Sequence, residues 1–138
     1  MSERWERYEP TKGLSIKYYI DSITDSMNGF QIILSDDNDE NNKVEVLFKD
    51  SVHAYRSTDE SFNLKIMNSI DESYGTKFYS YWTFFKVINS EYVQWLSEQS
   101  YGISDSQQLL HFCFIASDST LDVIAAYEPR VQKIRENR

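Results

Sequence analysis

The sequence predicts an α+β fold: a mainly antiparallel sheet of about six strands with two helices. Three observations lead there. Apolar residues alternate with period two in several short runs, the runs are joined mostly by short turns, and only two stretches carry helix-start signals.

The first run is LSIKYYI, where Leu14, Ile16, Tyr18 and Ile20 alternate with polar residues such as Ser15 and Lys17, predicting a half-buried strand over 14–20. Asn28-Gly29 follows, a dipeptide that tolerates the positive φ angles of a tight hairpin. FQIIL (30–34) and VEVLF (44–48) place Phe30, Ile32, Leu34 and Val44, Val46, Phe48 on single parities, and VHAYR (52–56) reads as a short strand. Ser57 and Glu60 have capping-box spacing ahead of Phe62, Ile66 and Ile70, predicting a helix over 59–74 closed by Gly75. Phe62, Leu64 and Ile66 also alternate, so a strand competes there. KFYSYWTFFKVI (77–88), rich in aromatic and β-branched residues, predicts a long strand. On it Phe78, Trp82 and Phe84 would share one face and Tyr79, Tyr81 and Phe85 the other. Ser90 caps a second helix, with Glu91 in its first turn and Gly102 past its end. LLHFCFIA (109–116) and LDVIAAY (121–127) are the last two strands, flanking a turn at 117–120. The basic tail PRVQKIRENR (129–138) reads as a short solvated or frayed helix.

At 138 residues the chain is expected to be one domain with short polar ends, and its 41% apolar content suffices for a core without staples. The 14 basic and 22 acidic residues leave a net charge of −8, which opposes a phosphate backbone or an anionic membrane. A single cysteine, no apolar leader in MSERWERYEP and no long apolar run predict a cytoplasmic setting.

Catalytic motifs are missing from the sequence. SDDNDENNK (35–43) matches a calcium loop at Asp37, Asp39 and Asn41, but Asn42 stands where the bend needs glycine and Phe48 where a bidentate glutamate is required. A hairpin loop explains it better. His111 and Cys113 share a strand face, but zinc needs more ligands than His53 alone can add, and the pair is too far apart for a thiol and its base. The reading assigns no metal, no cofactor and no catalytic residue. What remains is surface chemistry. Asp36, Asp37, Asp39 and Glu40 lie within five residues of a loop expected to be exposed, and Tyr79 and Tyr81 could form an open aromatic face. These six are the candidate partner-binding residues, suited to a basic protein.

Taken together, FFKVINSEYVQWL (84–96), LDVIAAYEPRV (121–131) and the SDDNDE loop give the chain a general resemblance to the immunity proteins encoded beside bacterial polymorphic toxins. The resemblance implies neutralisation of a cognate toxin, commonly a basic nuclease, by direct binding. That family spans many unrelated folds, so it transfers no binding residue by position. A small-molecule-binding barrel or cone lined by the aromatics is the alternative, followed by an enzyme whose site is assembled from scattered residues.

Overall fold

The computed structural model describes residues 3–62, 64–75, 77–101 and 108–135. It is α+β and mainly antiparallel, as the alternating runs predict, but among the described residues nine strands form two sheets rather than about six forming one. One sheet has five strands in the order β1 (Arg4–Arg7), β6 (Phe84–Ile88), β7 (Leu110–Ile115), β8 (Ser119–Ala125), β5 (Val52–Asp59). The other has four, in the order β2 (Tyr18–Ser26), β3 (Gly29–Asp36), β4 (Asp39–Phe48), β9 (Arg130–Arg135). Every pairing is antiparallel.

The sheets pack face to face, and the predicted parities fill the space between them. Phe30, Ile32, Leu34, Val44, Val46 and Phe48 meet Phe84, Phe112, Phe114, Leu121 and Val123 in one apolar cluster. Aromatic edges interlock across the seam, Phe48 with Phe112 and Tyr18 with Phe84. The β2–β3 hairpin turns at Met27 and Asn28, and Gly29 then has φ +121°. A Cβ on Gly29 would stand 2.7 Å from the Phe48 carbonyl oxygen, so both conformation and space require glycine.

The opposite face of the five-stranded sheet carries the helices. Met67 and Ile70 of α1 (Leu64–Tyr74) cover Trp5, Phe85, Val87, Cys113 and Ile115. The α2 helix (Glu91–Gln99) begins at Ser90, whose side chain accepts from the Val93 N–H, the predicted cap. Gly102 lies outside the described residues.

Several boundaries are corrected. The first helix starts later than 59 because Ser57 belongs to β5, and a single 3-10 turn at Glu60–Phe62 precedes α1. Phe62, expected on the buried stripe, is 83% exposed. Gly75 follows α1 at φ +92°, its N–H donating to the Asp71 carbonyl, so that stop is correct. The strand expected over 14–20 is β2 and runs 18–26. The strand expected over 77–88 shortens to Phe84–Ile88, because the carbonyls of Phe78, Tyr79 and Trp82 are taken by side chains instead of a ladder. Phe78 consequently packs on Phe85 at 5.1 Å, against the predicted parity. The tail is not helical over Arg130–Arg135: it is β9, laid along β4 from Leu47 to Asn42. Without it the side of β4 turned away from β3 would be an unpaired sheet edge.

Candidate partner-binding surface and a buried polar chain

At one end of the sandwich the β3–β4 turn, the β7–β8 turn and the 77–83 segment converge on Lys17. Its backbone carbonyl accepts from the Asp37 N–H at 3.2 Å. Its ammonium donates to the carbonyls of Tyr79 at 2.6 Å, Trp82 at 2.9 Å and Ile115. All three N–H groups are thereby used, and the Tyr79 ring lies 5.9 Å away. Burial pulls the Lys17 pKa down to about 8, against the opposing charge of Asp37. Nearby, Ser117 donates through its side chain to Asp37 at 2.8 Å and through its N–H to the Tyr18 carbonyl at 2.9 Å.

The six expected binding residues separate into structural and presented groups. Asp36 is buried, which corrects its placement on an exposed loop. Its carboxylate accepts from Ser15 Oγ, the Asn38 N–H and Asn42 Nδ2, and although burial alone would raise its pKa these bonds hold it below the ordinary range. The loop itself contracts to the two residues Asp37 and Asn38 between strands. Asp37 and Glu40 are exposed and Asp39 is half-buried, accepting from the Asn41 N–H. Tyr79 is half-buried and Tyr81 is 51% exposed. Asp37 and Tyr79, 42 positions apart by their numbers, therefore share one anchor. Lys17 was not singled out by the sequence, where it is one polar position in an alternating run.

A second polar constellation lies under α2. Ser90 Oγ is 2.6 Å from His111 Nδ1, His111 Nε2 is 2.7 Å from Asp122 Oδ1, and Arg56 Nε donates to Asp122 Oδ2 at 3.1 Å. The Arg56 guanidinium then lies 4.1 Å over the ring of Tyr92, back on α2. With Asp122 ionised, the contact assigns a proton to His111 Nε2, which donates to Oδ1. Burial would raise Asp122, but the hydrogen bonds and charges of His111 and Arg56 hold its carboxyl below the usual range.

Ser, His and Asp joined in this order also occur in acyl-transfer triads. Here the three are only 6%, 3% and 4% exposed. Ser90 Oγ is already engaged as the helix cap, and the adjacent Glu91 N–H, a natural oxyanion donor, is filled by the Glu3 carboxylate at 2.9 Å. The chain leaves α2 at Ser90 and returns to it at Tyr92, so it acts as a clamp holding the helix on the sheet. His111 and Cys113 do face the same side, as their spacing predicts, but His111 is committed to Ser90 and Asp122. Burial pushes the Cys113 thiol well up, which removes its nucleophilic form. An acid within the apolar run LDVIAAY was the signal that Asp122 needed a buried partner.

Among the described residues, no group of three or more His, Cys, Asp or Glu side chains is placed to hold a metal ion. No helix among them is long and apolar enough to cross a membrane. Compared with protein-family models, curated protein sequences and solved structures, the chain matches none.

Proposed function

We propose that the chain is a non-catalytic binding domain of the immunity type, neutralising a cognate bacterial toxin in the cytoplasm by direct contact. The observation that carries this reading is the end built on Lys17, where an acidic turn and the Tyr79–Tyr81 segment are fixed side by side. Such a surface has the two ingredients of protein recognition. Asp37, Asp39 and Glu40 attract a basic partner, and Tyr81 offers contact area at low entropic cost. The anchoring of Asp37 through both its N–H and its carboxylate means that little order has to be gained on binding. The commitment of Ser90 and His111 to the clamp, and the filling of the inter-sheet space by large side chains, favour this reading over an enzyme or a ligand-binding barrel.

The test is stopped-flow association with the toxin domain encoded by the neighbouring gene. Replacing Asp39 by Asn and Glu40 by Gln slows association by about tenfold at low salt with little change in dissociation. The difference shrinks near 0.5 M salt, where screening acts within about 4 Å. Tyr81→Ala instead speeds dissociation. Unchanged rates in both variants remove this surface from the function, and no complex at all discards the immunity reading.

A further inference from the structure

We infer that the free edge of β5 accepts an extended segment of a partner protein, adding a sixth strand to the five-stranded sheet. The inference rests on the chain being a binding domain, but it concerns the β5 edge, which borders the Lys17 end only where Asp59 pairs with Ser119 beside the β7–β8 turn.

β5 is terminal in its sheet: it pairs with β8, and no described strand pairs with its other side. None of its residues is buried, whereas six of the seven residues of β8 are. Edge strands are normally blunted by proline, lysine or a bulge. β5 contains neither proline nor lysine, and its single bulge falls between Val52 and Ala54. From Ala54 to Asp59 the register is continuous, giving six residues along which a ladder can form.

At its Val52–Tyr55 end the edge opens into a cleft of about 510 Å³, lined also by Tyr92, Trp95 and Leu96 of α2 and by Asp25 of β2. Trp95 is half exposed there and packs against Tyr92 at 5.8 Å. The clamp described above holds this wall in place through Arg56 and Tyr92.

These walls define the chemistry of the occupant. Side chains of an added strand alternate between its two faces. One set meets Trp95 and Leu96 and must be apolar. The other faces the Asp25 side and is best basic. Charge along the edge agrees. Asp25, Asp50, Asp59 and Glu60 are exposed, while the guanidinium of Arg56, the one Lys or Arg in β5, is directed to Asp122 and Tyr92. The partner segment is therefore an extended stretch alternating aliphatic and Lys/Arg residues, held by backbone hydrogen bonds and sorted by its side chains.

The probe is an eight-residue acetylated and amidated peptide alternating Lys with Val or Ile, titrated into isotopically labelled full-length protein. Shift changes are expected to concentrate at residues 54–59 and the Trp95 indole. Outward-facing β5 amides should exchange about tenfold more slowly in the complex. Two control peptides have the same side chains, each N-methylated at one of the two alternating sets of residues. The one whose methyl groups face the ladder must lose binding, because its N–H donors are gone while its charge is intact. Trp95→Ala should weaken the unmodified peptide about fivefold. Equal binding by all three peptides, or shifts centred on residues 37–40, would show charge attraction alone and overturn the inference. The same holds if the peptide leaves the spectrum unchanged. A silent peptide alongside slowed toxin association in the Asp39/Glu40 variant would sink strand addition but leave the immunity reading standing.

Discussion

The two faces of β7 and β8 are built on different physics. Toward the second sheet, Phe112, Phe114, Leu121 and Val123 interdigitate with Phe30, Val46 and Phe48, with apolar contact throughout. Toward the helices, the same strands present His111, Cys113 and Asp122, and a polar chain runs among the apolar contacts. A sheet laid on a sheet can exclude water over a broad area, and non-directional burial then suffices. A helix of nine residues buries little: Tyr92 is the one α2 residue that is buried. Directional bonds locate such a helix better than area does. The inner face is thus expected to supply most of the stability, and the polar chain of the outer face to supply orientation.

The largest expected effect breaks the inner face. Phe112→Ala should cost about 3–5 kcal/mol, since a large cavity opens between two sheets that cannot collapse onto it. Denaturant unfolding measures this; a cost below about 1 kcal/mol would mean that the seam is not the main source of stability.

Next comes the outer face. Asp122→Ala should cost about 2–4 kcal/mol by leaving His111 and Arg56 without their acceptor. Replacing His111 and Asp122 together by Leu should cost less than the single change, because no buried polar group is then stranded. Tryptophan fluorescence of Trp95 should nonetheless report a looser α2 in the double variant. If the double variant is both less stable and rigid, orientation is not the role of the chain.

The titration of the same groups separates their contributions. Asp122 is held below its unfolded pKa, so its contribution is complete above about pH 4 and fades as pH falls through the folded value. The stability gap between the native protein and Asp122→Ala should therefore close in acid. Lys17 is lowered as well, to about 8, but as a cation. Between that value and the ordinary lysine range near 10.4 the unfolded chain binds more protons, so Lys17 makes stability rise with pH in that window. Lys17→Met, which takes the ammonium donor from the carbonyls of Tyr79, Trp82 and Ile115, should cost about 1–3 kcal/mol at pH 7 and lose this alkaline gain. Unfolding curves from pH 7 to pH 10 check both the size and the slope.

The smallest effect belongs to the presented acids. Asp39→Asn together with Glu40→Gln should shift stability by no more than about 0.5 kcal/mol, since neither carboxylate is buried. A larger loss in thermal unfolding would mean that these acids hold the turn rather than display it.

Local chemistry made much of this protein legible in its sequence. Period-two alternation identified the inward residues of β3 and β4, the Asn28-Gly29 signal located a hairpin, and Ser90 marked the start of α2, because each depends on neighbours a few positions away. Tertiary structure decided what those segments pair with. The division into two sheets, the conversion of 130–135 from an expected helix into β9, and the loss of strand at 77–83 all follow from distant backbone groups competing for hydrogen bonds. The site divided in the same way. The acidic run was visible in the sequence, but the burial of Asp36 and the meeting of Asp37 with Tyr79 on Lys17 were not. Nor was the loop from Ser90 through His111, Asp122 and Arg56 back to Tyr92. Charge and apolarity are properties of single residues, whereas the partner of a buried polar group is chosen by the fold that removes it from water.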